Sequence, residues 1–158
     1  MRVIGIDPGL SITGIGILDE NENKIGLCHY GTIKAPARQP LEARLDYIFS
    51  KAMELIRKYQ PDELAVEDSF YGKNAKTAIL LGQARGVLML AGAQSKIPCF
   101  EYAPRKVKQS VVGNGAATKE QVQYMVKSIL KMPTLPKPLD ASDALAIGIC
   151  HLHQKRWS

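Results

Sequence analysis

Four acidic residues stand in segments that are otherwise apolar, and they are the side chains from which chemistry can be argued. Asp7 and Glu67 each end a short apolar run, while Asp140 and Asp143 stand three residues apart at the start of a long apolar stretch. If that stretch is helical, a spacing of three residues places both aspartates on one face of the helix. Because burying a carboxylate without a partner is costly, the pattern indicates a functional site.

The chemistry that these carboxylates could support depends on cations. Converging carboxylates repel one another and raise one another's pKa values unless divalent ions neutralise them. Oxygen ligands without histidine or cysteine select hard ions such as Mg²⁺ or Mn²⁺. Two such ions can align a hydroxide and stabilise the leaving oxygen in a displacement at phosphorus. We therefore predict that Asp7, Glu67, Asp140 and Asp143 are catalytic, metal-binding residues that hold two Mg²⁺ ions, for which Mn²⁺ could substitute.

Three of the four acids also have a purely structural interpretation, whereas Glu67 is harder to explain in this way. Asp7, followed by Pro8 and Gly9, could only close a hairpin turn. Asp140 could cap the final helix, and Asp143 could interact with the dipole of its first turn. The joint pattern at two strand ends and on one helix face favours function, because several independent accidents would otherwise be needed.

The apolar periodicity defines the elements that must position these acids. Three consecutive strands joined by tight turns form an antiparallel meander, and later strands alternate with helices, which predicts an α/β domain with a mixed sheet covered on both faces. If the first and fourth strands are neighbours, the two strand-end acids stand side by side, and the final helix lays its aspartates across them. The predicted strands span 2–7, 12–18, 24–34, 63–67 and 97–102, and the predicted helices span 41–56, 74–96, 104–112, 118–131 and 139–151.

Length and composition restrict the class of protein. The chain has 158 residues, 46% of them hydrophobic and 23% charged, which fits one folded domain and excludes disorder and collagen-like repeats. No apolar run reaches about 18 residues, and Met1 leads straight into the first strand without a separate signal-peptide core. We therefore expect a cytoplasmic protein without a membrane segment. Its 3 cysteines form no CxxC pair, which suggests neither a disulfide framework nor a zinc ribbon.

Positive charge is concentrated in the last third of the chain. Residues 1–100 hold 12 basic and 11 acidic side chains, whereas residues 101–158 hold 9 and 4. Between Tyr102 and Lys137 there are seven cations and one anion, Glu120, which predicts a face that binds a polyanion, although a solvated basic helix would look the same. We expect His151 and His153, near the C-terminus, to be exposed and not to bind metal.

Several segments together resemble the RuvC family of Holliday junction resolvases, which are crossover junction endodeoxyribonucleases with a ribonuclease H-like fold. The resemblance covers nearly the whole chain and implies one nuclease domain over 1–158. It also implies a five-stranded sheet of three antiparallel strands followed by two parallel ones, with helices on both faces. The segments are Ile4-Gly5-Ile6-Asp7-Pro8-Gly9, Val66-Glu67 with Phe70, Val107-Lys108 with Gly113-Asn114-Gly115-Ala116, and Asp140-Ala141-Ser142-Asp143-Ala144-Leu145-Ala146.

The resemblance assigns roles to individual residues. The four carboxylates become the Mg²⁺-binding catalytic residues. Phe70 is implied to stack on or wedge between bases near the crossover, and Tyr71 could share that role, although either could simply pack under its loop. The residues implied to bind DNA, besides these two aromatics, are Lys108 and Lys119, with Lys73, Lys76 and Arg105 as further candidates.

The resemblance also implies partners. The predicted helix over 74–96 carries Ala78, Gly82 and Gly86 at four-residue spacing, a strip of small side chains that could admit a helix of a second copy or pack within the chain. A twofold homodimer suits a four-way junction, because resolution requires a nick in each of two symmetry-related strands. The family further suggests cooperation with the RuvA and RuvB branch-migration complex.

The predicted function is a structure-selective endonuclease that resolves four-way DNA junctions in recombination and repair. It would do so by paired, Mg²⁺-dependent phosphodiester hydrolysis that leaves 5′-phosphate and 3′-hydroxyl ends. Two alternatives stay open at this point. One is a junction-binding module without catalysis, and the other is a domain related to actin-like ATPases, whose phosphate loop also opens on a first strand.

Overall fold

The computed structural model describes residues 1–68 and 74–158, and its elements follow the apolar periodicity of the sequence. Side chains at the N-terminal ends of two helices explain where these helices begin. Asn74 accepts a hydrogen bond from the backbone N–H of Thr77, and Thr118 and Gln121 form a capping box. The strands are β1 Arg2–Asp7, β2 Ile12–Asn21, β3 Lys24–Lys34, β4 Glu63–Glu67 and β5 Cys99–Tyr102, and the helices are α1 Leu41–Tyr59, α2 Ala75–Gln94, α3 Pro104–Val112, α4 Lys119–Ile129 and α5 Leu139–Arg156.

The described residues form one five-stranded sheet in the order β3-β2-β1-β4-β5. The first three strands pair antiparallel, and β4 and β5 join them in parallel. This is the predicted mixed sheet, and it makes β1 and β4 neighbours. The pairing register aligns Ile6 with Val66, so the next residues along the two strands are Asp7 and Glu67.

Successive residues of the central strands point to opposite faces of the sheet, and each face has its own core. Ile4 and Ile6 of β1 pack with α1 and α2, whereas Val3 packs with α3, α4 and α5. Asp7 shares the face of Val3 by this alternation. It therefore points toward the side of the sheet that α5 covers.

Glycines allow α5 to lie unusually close to this face of the sheet. A Cβ atom on Gly5 of β1 would stand 2.2 Å from the carbonyl oxygen of Ala144, and one on Gly14 of β2 would stand 1.9 Å from the carbonyl oxygen of Asp140. Both distances are far below van der Waals contact. Any larger residue at these two positions would push the helix away from the sheet.

Several element boundaries differ from the prediction. Strand β2 runs on to Asn21 because the hairpin turn is tighter than expected, with Glu22 and Asn23 at φ 49° and 64° as its two central residues. Strand β5 begins at Cys99 and not at Ile97, because Pro98 has no N–H group to donate to the sheet.

The expectation that His151 is exposed is wrong. Helix α5 continues to Arg156, so His151 lies inside the helix and is completely buried against the sheet. Its ring bonds to the carboxylate of Glu63 and, through Nδ1, to the hydroxyl of Tyr102 at 2.7 Å. His153 is partly buried, with Nδ1 3.2 Å from the hydroxyl of Ser110. The apolar packing of α5 and the acid on β4 make burial of the histidine possible.

Across residues 1–68 and 74–158, none of the helices has the length and apolar character required to cross a membrane. The three cysteines are free thiols. Cys150 is buried, while Cys28 and Cys99 are partly buried.

Candidate active site

Two neighbouring strands deliver the first two carboxylates of the site. Asp7 ends β1 and Glu67 ends β4, and parallel pairing brings both to the same edge of the sheet. Both side chains are half-buried. The sequence prediction that these two acids stand side by side is correct.

The first turn of α5 brings the other two carboxylates to the same place. The N-cap of this helix is Pro138, so Asp140 is not the capping residue that its structural interpretation required. Asp140 and Asp143 line a cavity of about 620 Å³ together with Asp7 and Glu67. All four predicted carboxylates therefore face one cavity.

The four acids lie close enough in the cavity for the charges of the other three to change the pKa of Asp7. Burial raises the pKa of Asp7 far above its ordinary value, and the charges of Glu67, Asp143 and Asp140, with a hydrogen bond shared with Glu67, raise it further. Burial also raises the pKa values of Glu67 and Asp143. Without cations, Asp7 thus holds a proton at neutral pH, and this proton relieves the repulsion among the acids.

The donor set suits a hard divalent ion, although the acids do not yet enclose one. Within the described part of the chain, no three histidine, cysteine, aspartate or glutamate side chains already have the arrangement of a metal site. Beyond the effect of burial, the charges of Glu67, Asp143 and Asp140 raise the pKa of Asp7, and that of Asp140 raises the pKa of Asp143, an excess of negative charge that a divalent cation would neutralise. The four carboxylates offer oxygen ligands only, which is the chemistry that Mg²⁺ and Mn²⁺ prefer.

Two lysines share the cavity with the carboxylates. Lys108 comes from α3 and Lys119 from the first turn of α4. The ammonium Nζ of Lys119 stands 3.7 Å from a carboxylate oxygen of Asp143, and the Lys119 side chain is 65% exposed. Both lysines act against the burial effect on the pKa values of Glu67 and Asp143. Cations beside the acids provide an attraction for a phosphate that the acids alone would repel.

A structured turn holds the start of α4, and with it Lys119, near the cavity. The side chain of Gln109 bonds to both sides of the turn, donating to the carbonyl of Gly113 at 3.2 Å and accepting from the N–H of Gly115 at 3.1 Å. Gly113 has φ 86°, a left-handed conformation that favours glycine. The Gly113-Asn114-Gly115 segment is therefore a rigid link between α3 and α4.

The other predicted DNA-binding residues differ in where they lie. Arg105 is exposed, and its side chain packs over Gly115, beside the turn that carries Lys119. Lys76 is exposed in the first turn of α2 and is not among the residues that line the cavity. Phe70, Tyr71 and Lys73 lie outside the described residues, so their predicted roles stay predictions.

Sequence reasoning missed the apolar wall of the cavity and one arginine behind it. Ile12, Leu81 and Val122 contribute to the wall, and the spacing of apolar residues gives no sign that they face an opening. Arg85 contacts the backbone of Glu67 from α2. Arg85 is a single cation in the middle of an apolar helix, and this pattern could have identified it as a candidate functional residue, as the acids in apolar strands were identified.

A family model for crossover junction endodeoxyribonuclease RuvC matches residues 3–151 of this chain. The chain belongs to the RuvC family. The crossover junction endodeoxyribonuclease RuvC of Pelotomaculum thermopropionicum is 47% identical over 157 residues, which cover 99% of this chain and 96% of the relative. The RuvC of Syntrophomonas wolfei is 48% identical over 158 residues, with 100% and 92% covered.

The comparison with solved structures gives the same result for the fold. T. thermophilus RuvC in complex with Holliday junction substrate matches with a TM-score of 0.93 and 33% identity, over 99% of this chain and 96% of that chain. The predicted ribonuclease H-like fold and the predicted family are confirmed. As a RuvC family member, the chain is a crossover junction endodeoxyribonuclease, which resolves Holliday junctions in DNA recombination and repair. Membership favours the nuclease over the binding module and the ATPase-related domain.

Proposed function

We propose that residues 1–158 form a single nuclease domain that hydrolyses one phosphodiester bond per subunit, with Asp7, Glu67, Asp140 and Asp143 as the metal-binding catalytic residues. The observation that carries this proposal is the convergence of four carboxylates and two lysines in one cavity. The same cavity would have to hold a negatively charged phosphate beside negatively charged acids. Only a site that recruits cations can do this.

The carboxylates would hold two Mg²⁺ ions. When bound, such ions supply a water nucleophile at neutral pH and neutralise charge on the phosphate. Asp7 ends the central strand β1, and the charges of Glu67, Asp143 and Asp140 all raise its pKa, so it would contribute a metal ligand beside the other three carboxylates. It would give up its proton as the ions bind. The rigid sheet and the tightly packed α5 would fix the four oxygen donors relative to one another.

Lys108 and Lys119 would bring the scissile phosphate to the carboxylates. Both line the cavity, and Lys119 is largely exposed at the start of α4, where unpaired backbone N–H groups also favour phosphate. Arg105 on the neighbouring surface would extend this contact along the DNA backbone. Lys73 and Lys76 would add sequence-independent phosphate contacts, and Phe70 with Tyr71 would stack on bases near the crossover.

A homodimer is part of the proposal. The space where a Cβ would stand on Gly82 and Gly86 is open, and Ile79 and Leu90 on the same helix are exposed by 61% and 47%. The strip of small residues in α2 is thus available to a second copy. Two subunits related by a twofold axis would place one cavity at each of two equivalent strands, giving paired nicks with 5′-phosphate and 3′-hydroxyl ends.

Partners and location follow from the same reasoning. We propose the RuvA and RuvB branch-migration complex as the partner that presents the junction, on the strength of family membership. A cytoplasmic location accords with three free cysteines, because thiols stay reduced in that compartment.

The decisive experiment compares Asp7→Asn with Asp46→Asn, which neutralises an exposed acid on α1. Each protein is incubated with a mobile synthetic four-way junction or a linear duplex, with Mg²⁺, with Mn²⁺ or without a divalent ion. Mutation of a residue that only hydrogen-bonds to a metal ligand typically lowers metal affinity or activity by about 10–100-fold. Because Asp7 is proposed to bind the metal itself, we expect Asp7→Asn to lose more than about 100-fold in junction cleavage. Binding should persist, since the change removes a negative charge.

Each result decides between the alternatives. Symmetric, metal-dependent nicks in the junction alone, lost in Asp7→Asn and kept in Asp46→Asn, would support the proposed mechanism. Unimpaired cleavage by Asp7→Asn would show that the carboxylate site is wrong. If the protein binds the junction tightly but produces no nicks with Mg²⁺, with Mn²⁺ or without a divalent ion, the junction-binding module without catalysis would be the better explanation.

A further inference from the structure

Arg85 joins helix α2 to the backbone of a proposed catalytic residue. Its Nε donates a hydrogen bond to the carbonyl oxygen of Glu67, with a separation of 3.3 Å. The side chain is 22% exposed and stands in a helix whose inward face is otherwise apolar. A half-buried guanidinium needs anionic or carbonyl partners, and among residues 1–68 and 74–158 these partners lie at the ends of β4 and β5.

The rest of the guanidinium is held between two acids. Nη2 lies 2.6 Å from Glu101 of β5 and 3.7 Å from Asp68, the residue that follows Glu67. The Nη2 contacts are not aligned as hydrogen bonds, so they act as ion pairs. Both acids are about two-fifths exposed, which makes the ion pairs weak in energy, but together they fix the direction of the arginine fork.

Arg85 makes these contacts where the backbone of β4 no longer pairs with β1. The pairing of β4 with β1 ends at Val66, one residue before Glu67. On the other side, the N–H of Asp68 donates to the carbonyl of Tyr102 at 2.8 Å. The peptide that joins Glu67 to Asp68 is thus held at its N–H by β5 and at its carbonyl oxygen by Arg85.

We propose that Arg85 is a positioning residue for Glu67, and that it fixes the orientation of the peptide that carries this carboxylate into the cavity. The proposal rests on the role of Glu67 given under Proposed function. The guanidinium is needed because its planar fork can reach a carbonyl oxygen and two acids at once, whereas a lysine ammonium on a flexible stem is a point charge. Arg85 also connects the proposed dimer helix to the active site.

The test replaces Arg85 by lysine, which keeps the charge and removes the fork. Arg57→Lys is the matched control, since Arg57 is an exposed arginine in the last turn of α1. Four quantities are measured for each protein: the single-turnover rate of junction cleavage with Mg²⁺, junction affinity without a divalent ion, the thermal unfolding midpoint, and hydrogen exchange of the Asp68 amide.

For Arg85→Lys we expect a loss of about 10–100-fold in cleavage rate, the range found for residues that orient metal ligands. Junction affinity and the unfolding midpoint should match those of the control, while the Asp68 amide should exchange faster. Cleavage at the wild-type rate with unchanged Asp68 exchange would overturn the proposal. A slower cleavage rate accompanied by a loss of junction affinity and a lower unfolding midpoint would also overturn the proposal, because the arginine would then only support the fold.

Two further variants keep the test decisive. If Arg85→Lys does not fold, Glu101→Gln removes one anchor of the guanidinium and leaves Arg85 in place; it should slow cleavage and speed Asp68 exchange, and wild-type values would overturn the proposal. Glu67→Gln separates the two hypotheses. If it cleaves normally, the proposed catalytic site fails, whereas an inactive Glu67→Gln beside a fully active Arg85→Lys refutes the positioning role alone.

Discussion

Gly14 lies where α5 packs closely on the sheet, and Gly14→Ala tests whether this close packing sets the geometry of the four carboxylates. Gly14 pairs with Asp7 across β1 and β2, and it lies beneath the backbone of Asp140. The new Cβ would stand 1.9 Å from the carbonyl oxygen of Asp140, where real contacts are essentially never below 3.0 Å. The start of α5 must therefore move by roughly 1 Å. That movement separates Asp140 and Asp143 from Asp7 and Glu67.

The expected magnitudes follow from this displacement. Overpacking of a close contact costs about 1–3 kcal/mol, which exceeds the gain of about 0.4–1 kcal/mol from a less flexible unfolded chain. At roughly 2–4 °C per kcal/mol for a domain of this size, the unfolding midpoint should fall by several degrees. Misplacement of reacting groups by about 1 Å can cost on the order of 100-fold in rate. We expect cleavage to fall by about that factor while the protein still folds.

The assay compares Gly14→Ala with Gly26→Ala, which makes the same change in β3 of the same sheet. A Cβ on Gly26 would have its nearest neighbour, the carbonyl oxygen of Asp19, at 3.9 Å, which is ordinary contact. Thermal unfolding and single-turnover junction cleavage are measured well below both midpoints. If Gly14→Ala keeps the wild-type rate and midpoint, close approach of α5 does not set the geometry of the site, and the reasoning is refuted.

Two further predictions concern single charges. Lys119→Met should weaken junction binding and lower the slope of log affinity against log salt by about 1, because one phosphate contact is lost; an unchanged slope would exclude that contact. Burial lowers the pKa of His151, and although burial alone would raise the pKa of Glu63, hydrogen bonds from His151 and Lys155 lower it overall. The pKa values of His151 and Glu63 are thus both lower in the folded protein than in the unfolded chain, so the unfolded chain binds more protons. The stability that these two groups contribute is complete above about pH 6.5 and is lost as the pH falls. The unfolding midpoint should therefore drop less between about pH 7.5 and pH 5 in His151→Gln than in the wild type, and equal drops would contradict this assignment.

The sequence by itself determined the elements and the identity of the acids. Alternating and helical apolar spacing predicted the five strands and five helices of the described residues to within five residues at each end, because this spacing reflects which face of each element is buried. Asp7 and Glu67 could be identified from the sequence because burying a carboxylate at the end of an apolar strand is costly unless it has a partner. The capping box that Thr118 forms with Gln121 is likewise a local pattern, since its two residues are three positions apart.

The prediction of exposure for His151 failed because burial depends on partners that are distant in the chain. The bond to Glu63 joins residues 88 positions apart, and no local pattern reveals it. The contact between Arg85 and Glu67 has the same character, since it crosses from α2 to the end of β4. Local spacing reports which face of an element is apolar, but it does not report which polar group meets a particular side chain.

The tertiary structure alone decided that four separate acids become one site. Parallel pairing of β1 with β4 brings Asp7 beside Glu67, and this pairing depends on the order of strands in the sheet. The absence of a side chain at Gly5 and Gly14 then allows α5 to approach until Asp140 faces the same cavity. Residue types carry the chemistry, but distances between elements arise only when their surfaces pack. The sequence therefore specified the four acids, and close packing of α5 on the sheet brought them to one cavity.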